Sequence, residues 1–160
     1  MKDIMKKYRK AKGFTLIELL IVIIIIGILA GMMMLSIGSA TDKAQAAKIV
    51  SNLRNLKAAV VMYYADYDVW PAAATFNAAG TADTGVAASL DKYLDRGPGS
   101  GYSTTSSDTE GVNAVFDSAT VTAGIRDKLK ATAANSGLYS VASGDTVYSG
   151  SGKAYMRITK

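Results

Sequence analysis

Cysteine and histidine are both absent from the 160 residues, and each absence excludes chemistry. Without cysteine there is no disulfide framework, no thiolate metal site and no cysteine nucleophile, and the redox compartment leaves no trace. Without histidine the usual general base at neutral pH and the commonest metal ligand are missing, which leaves carboxylates, lysines and tyrosines for acid–base work. Neither a G-x-S-x-G nucleophile elbow nor a G-x-x-x-x-G-K-[ST] phosphate loop occurs. The nearest approach, Gly152-Lys153-Ala154, lacks both the upstream glycine and the hydroxyl. The composition therefore argues against an enzyme. Proline is nearly absent: only Pro71 and Pro98 occur, so no proline interrupts residues 14–70.

A further scarcity is local. From Leu19 to Thr41 there are 23 consecutive residues without a formal charge. As a helix rising ~1.5 Å per residue this run covers about 35 Å, enough for a hydrocarbon core of ~30 Å. Charge is concentrated just before it: Lys2, Lys6, Lys7, Arg9, Lys10 and Lys12 against Asp3 give residues 1–13 the chain's whole net charge of +5, and the other 147 residues are neutral. Beyond that leader no basic face for nucleic acid is indicated, and no nucleic-acid partner is expected. The positive-inside rule places the basic end in the cytoplasm and everything after Asp42 outside. A secretory signal peptide is the first alternative, with Gly38-Ser39-Ala40 or Ala44-Gln45-Ala46 as cleavage sites. Its apolar core is usually 7–15 residues, shorter than this run, and here the helical pattern continues past the point where such a peptide ends.

The run is entered through Lys12-Gly13-Phe14-Thr15-Leu16-Ile17-Glu18-Leu19. A carboxylate facing hydrocarbon is costly unless compensated. An acid in the first turn of a helix is favoured by the macrodipole and can answer orphan amide groups, with no further role. The longer pattern says more. A short basic leader ending in Gly13, then Phe14-Thr15-Leu16-Ile17-Glu18-Leu19, then an aliphatic helix, closely resembles the class III signal of type IV pilins and type II secretion pseudopilins, over residues 1 to about 70.

The resemblance implies a set of roles. A membrane-embedded prepilin peptidase cuts between Gly13 and Phe14 on the cytoplasmic side and methylates the new amino group of Phe14. The apolar helix stays in the mature protein because cleavage precedes it. Gly13 gives the peptidase a backbone with no Cβ in the way. Glu18 meets the N-terminal amine of a neighbouring subunit as the filament grows, so that two charges costly in lipid neutralise one another. Its partners are then other copies in a helical filament, the peptidase/methyltransferase and an inner-membrane assembly platform, and no cofactor is needed. The location is a single pass through the cytoplasmic membrane, followed by an extracellular pilus or a cell-envelope pseudopilus. A monomeric membrane-anchored or secreted binding protein is the competing class.

The expected fold is α+β: a long N-terminal helix packed on a C-terminal antiparallel sheet, as in the pilin fold. The expected segments are a leader (1–13), an apolar membrane or filament-core helix (14–41), an amphipathic half-helix (42–70) and a head (71–160). Ala46, Ile49, Val50, Leu53, Leu56, Val60, Tyr63, Tyr64 and Tyr67 recur at helical spacing, so one stripe needs a partner surface. One helix from about Phe14 to Tyr67 would be roughly 80 Å long, ended by Trp70-Pro71 because proline disfavours helical geometry in the residue before it. Many members of the family carry a proline some twenty-odd residues into the mature chain; here Met32-Met33-Met34-Leu35 stands instead. Gly27, Gly31 and Gly38 either locally loosen the helix or are simply tolerated, and the small-xxx-small pair Gly27 and Gly31 alternatively permits close helix approach.

Tyr63, Tyr64, Tyr67, Trp70 and Phe76 read as core aromatics, not as an electron path. In the head, a short helix is predicted over Val86–Asp95, a break at Gly97-Pro98-Gly99, an exposed loop over 102–111 and a strand over Val112–Phe116. A second helix follows over Ile125–Ala134, closed near Gly137. Strands are predicted over Leu138–Ala142, Thr146–Ser149 and Lys153–Thr159. Asp83, Asp108, Glu110 and Asp145 are oxygen ligands of the type some pseudopilins use for calcium, but they lack any calcium-loop spacing and read as solvated acids.

Overall fold

The computed structural model describes residues 13–76, 90–107 and 111–159. The chain divides into two compact units, Met1–Gly38 and Ser39–Lys160. Helix α1, Leu16–Tyr67, takes in most of the first and opens the second. The remaining elements are β1 (Ala74–Thr75), β2 (Tyr102–Ser107), β3 (Gly111–Asp117), α2 (Ala123–Ser136), β4 (Leu138–Tyr139) and β5 (Lys153–Arg157). The α+β expectation of a long helix followed by an antiparallel sheet is met.

In the first unit α1 runs without interruption through Gly27 and Gly31. Its large apolar side chains face outward: Ile21, Val22, Ile23, Ile24, Ile25 and Ile26 are all about half exposed. Between Leu16 and Tyr67 the chain thus has a helix long and apolar enough to cross a membrane.

The second unit is organised by the stripe the spacing marked out. Ala46, Ile49, Val50, Leu53, Leu56, Val60 and Tyr63 are buried, while Lys43, Lys48, Ser51, Arg54 and Asn55 between them are exposed. Five antiparallel strands in the order β1-β2-β3-β5-β4 complete the core. The register pairs Tyr102 with Phe116, Thr104 with Ala114, Phe116 with Ala154, and Ala114 and Leu138 with Met156. Facing pairs share a side of the pleated sheet, so these buried residues form one surface, and it joins the α1 stripe and Ile125, Leu129 and Ala133 of α2 in a single cluster. Lys57 Nζ donates to the Arg157 carbonyl at 2.8 Å, tying α1 to the end of β5.

Several boundaries differ from the sequence expectation. Residues 102–107 are not an exposed loop but strand β2. The segment is polar, yet Tyr102 and Thr104 alternate inward, and Thr104 Oγ1 accepts from the Ala74 amide at 3.1 Å, so its hydroxyl is satisfied inside the sheet. Residues 108–110 lie outside the described residues. Thr146–Ser149 is not a strand: only an isolated bridge joins Val147 to Tyr139, and Gly144 turns the chain at positive φ. Strand β4 stops at Tyr139, short of the predicted Ala142, and β5 ends at Arg157. Of the predicted Val86–Asp95 helix, residues 86–89 lie outside the described residues, and Asp91–Tyr93 form a single 3-10 turn.

Helix α1 ends at Tyr67, three residues before Trp70. Asp68 takes a left-handed conformation (φ 55°) and donates its amide to the Tyr64 carbonyl at 2.8 Å, which closes the last turn before proline acts. Helix α2 ends as its sequence suggests, on left-handed Gly137 (φ 67°), whose amide donates to the Ala133 carbonyl. Of the five aromatics assigned to the core, Tyr63 and Phe76 are buried and Trp70 packs against the cluster, but Tyr67 is 52% exposed. Tyr67 stacks on Tyr63 (4.7 Å between centroids) from the solvent side, and Tyr64 stacks on Trp70 at 4.1 Å.

Candidate processing and assembly site at the helix start

Gly13, Phe14 and Thr15 precede the helix in non-helical backbone, so the Gly13–Phe14 peptide bond is not locked into an i to i−4 ladder. Phe14 is 89% exposed, and a Cβ built on Gly13 meets no atom within 4 Å. The bond is open to approach from outside.

Thr15 is the residue immediately before α1, and Glu18 is its third helical residue. The Thr15 amide and the Thr15 hydroxyl both donate to Glu18 Oε2 at 2.8 Å, and the Glu18 amide donates to Thr15 Oγ1 at 3.3 Å. This reciprocal arrangement is a capping box. It answers two of the amides that a helix N-terminus leaves without intrahelical partners, and it holds the carboxylate at the helix end, where the macrodipole favours negative charge. The sequence reading of Glu18 anticipated the dipole and the orphan amides but not the hydroxyl of Thr15, although the spacing T-x-x-E carries that signal.

The box uses Glu18 Oε2; among the described residues no bond to Oε1 accompanies these three. Glu18 is exposed, as are Leu16, Ile17, Leu19 and Leu20 around it. A carboxylate with an accepting oxygen to spare, set in an apolar exposed collar, is suited to receiving a cationic group from another molecule. Methyls built at Gly27, Gly31 and Gly38 meet nothing within 4 Å among the described residues.

Residues 8–34 match the family model of the prokaryotic N-terminal methylation motif, which takes in Gly13, Phe14 and Glu18 together. Over that stretch the chain is similar to proteins that carry this motif. The chain is 35% identical over 94 residues to the type II secretion system core protein G of Vibrio cholerae serotype O1, covering 59% of this chain and 58% of that protein. It is 43% identical over 60 residues to the type IV major pilin protein PilE of Neisseria gonorrhoeae, covering 38% and 36%. It is 40% identical over 86 residues to a fimbrial protein of Neisseria meningitidis serogroup A, covering 52% and 46%. The chain thus spans about half the length, or less, of these curated relatives. No solved structure gives a significant match.

Of the acids considered for calcium, Asp83, Asp108 and Glu110 lie outside the described residues and Asp145 is exposed. Among the described residues no group of three or more acidic side chains is placed to hold a metal ion.

Two further polar contacts in the second unit were not visible in the sequence. Tyr93 donates its hydroxyl to Asp66 Oδ2 at 2.5 Å, and Lys92 lies 3.8 Å from the same oxygen. The bond to Asp66 holds the phenol proton and pushes the Tyr93 pKa up to about 12. Burial raises that of Tyr102, partly offset by the Asn52 amide, which donates to its hydroxyl at 3.2 Å.

Proposed function

We propose that this chain is a structural subunit of a type IV pilus-like filament, made as a membrane-inserted precursor, cut between Gly13 and Phe14, methylated on Phe14 and polymerised through α1. The observation that carries the reading is the conjunction at the helix start: an exposed non-helical Gly13–Phe14 bond, and directly after it an acid held at the mouth of an apolar helix. Its neighbours in assembly are other copies of itself. A membrane peptidase/methyltransferase processes it and an assembly platform in the inner membrane extracts it, with the basic leader cytoplasmic and the head outside. Its role is architectural and not catalytic.

Apolar side chains of α1 exposed in the first unit need either lipid or other helices around them. In lipid, Glu18 has only its own cap; in the filament it gains the amine of a neighbouring Phe14, so the docked state is favoured over the free one. A pseudopilin of a secretion system is the second reading. It is favoured by the 94-residue alignment with the type II secretion protein, longer than the 60 residues shared with PilE.

Intact-mass measurement on material from the native host tests the proposal. Loss of residues 1–13 with gain of one methyl supports it. Cleavage after Ala40 or Ala46, or an intact leader on surface-exposed protein, overturns it. Electron microscopy of the cell surface separates long pili from short envelope-bound pseudopili.

A further inference from the structure

The loop between the 3-10 turn and β2 is tied to α1 at two points. At its start the Tyr93 hydroxyl donates to Asp66 Oδ2 at 2.5 Å; further on, the Asn52 amide donates to the Pro98 carbonyl and to the Tyr102 hydroxyl, each at 3.2 Å. The loop therefore runs back along α1, antiparallel to it, with residues 94–97 opposite the helix turns between Asn52 and Asp66. Between the ties the two walls stand apart, and a cleft of about 720 Å³ is lined by Lys48, Asn55, Ala58, Leu94, Asp95 and Arg96, among others. It belongs wholly to the second unit, and its size is that of a small-ligand site.

Both walls are polar, and few of their polar groups are used within the protein. The side chains of Lys48, Asn55, Asp95 and Arg96 have no polar partner among the described residues. Asn52 commits both amide hydrogens to the tie, which fixes its carboxamide and leaves Oδ1 to accept. The half-buried ring of Tyr93 adds an aromatic surface. Donors, acceptors and a ring are thus gathered in one cleft whose walls are already fastened together, and its two cations, Lys48 and Arg96, face one acid, Asp95.

We infer that this cleft binds a saccharide carrying one carboxylate, a sugar of the uronic-acid class. Each sugar hydroxyl both donates and accepts, so it can answer carboxamides and Asp95 together, while the ligand's carboxylate answers the excess cation. The C–H face of a sugar ring suits the Tyr93 ring and Ala58. A ligand offering only negative charge would use Lys48 and Arg96, leave the carboxamides unanswered and be repelled by Asp95. An apolar ligand would leave all of these groups unpaired.

The inference concerns the second unit alone and does not depend on filament assembly. The test uses the full chain in a neutral detergent with no sugar headgroup, titrated with methyl glucuronide and with methyl glucoside, which lacks the carboxylate, and followed by ligand-observed saturation-transfer NMR. Wild type binds the glucuronide with Kd on the order of 1 mM, ordinary for a single sugar, and the glucoside about tenfold more weakly. The double variant Lys48→Gln, Arg96→Gln loses that preference and keeps its affinity for the glucoside within about twofold, whereas Asn55→Ala weakens both sugars alike, by about fivefold. Lys48, Asn55 and Arg96 are all exposed, so the fold tolerates these changes. Lys153→Gln, an exposed charge that does not line the cleft, alters neither affinity. Absence of saturable binding, equal affinity of wild type for the two sugars, or cleft variants that bind like wild type overturns the inference. So does an acetylated Gly-Glu-Gly peptide amide that binds as tightly as the glucuronide and is weakened by the same variants, which would make the cleft a peptide site.

Discussion

A Cβ placed on Gly124 would lie 2.1 Å from Asp42 Oδ2. The carboxylate of an α1 residue therefore occupies the space beside the second residue of α2, whose preceding Thr122 makes no side-chain cap bond of its own. The first turn of α2 thus faces a negative charge supplied by another helix, worth about 0.3–1 kcal/mol by the dipole argument.

Gly124→Ala is the direct probe. In an unobstructed helix the change stabilises by roughly 0.5–1 kcal/mol. Here it must turn Asp42 away, so the gain and the lost charge–dipole attraction nearly cancel. In an Asp42→Ala background the full gain returns. A double-mutant cycle from urea unfolding of the chain in detergent should give a coupling of about 0.5 kcal/mol; a coupling of zero would show that the proximity carries no energy.

Thr15 and Glu18 can be separated by the same logic. If Glu18 acted only as a cap, removing either member of the box would have the same consequence. Glu18→Ala is expected to leave leader removal largely intact and abolish surface filaments. Thr15→Ala, which keeps the carboxylate, should still assemble. Normal filaments on Glu18→Ala cells, counted by electron microscopy, would contradict the assembly role.

The Tyr93–Asp66 bond sets an alkaline limit. With the folded-state pKa near 12 against about 10 in the unfolded chain, the folded state holds this proton more tightly. The contribution is fully present below pH 10 and is lost as pH rises through 12. Thermal melts between pH 9 and 12 should show the loss, and Tyr93→Phe should remove this part of the pH dependence. In a phenolate absorbance titration, Asp66→Asn should move one tyrosine to lower pH.

The two faces of α1 in the second unit should respond differently. Leu53 is fully buried, and Leu53→Ala is expected to cost about 2–5 kcal/mol in unfolding free energy. Met62 is 53% exposed, and Met62→Ala should stay within about 0.5 kcal/mol. Equal effects in denaturant melts would mean that the core does not lie where the stripe places it.

Much of this was legible because it is local. Periodicity marked the buried stripe from Ala46 to Tyr63, Gly137 marked the end of α2, and the uncharged run after Glu18 marked a segment of membrane-spanning length. Each follows from a few neighbouring residues and the 3.6-residue repeat. The capping box was written in T-x-x-E as well and needed only the hydroxyl of Thr15 to be read with the acid.

Tertiary structure decided what depends on partners distant in sequence. Tyr102–Ser107 has the composition of a loop and becomes a strand because β3 offers a continuous ladder and Ala74 answers the hydroxyl of Thr104. Thr146–Ser149 has the alternation of a strand and remains a single bridge, because a strand exists only where a neighbour supplies its hydrogen bonds. The closeness of Asp42 to Gly124 and of Tyr93 to Asp66 depends likewise on how α1 meets α2 and the 90s turn. Sequence alone determined the elements whose bonds close within a few residues; only the packed chain could determine those whose bonds close across it.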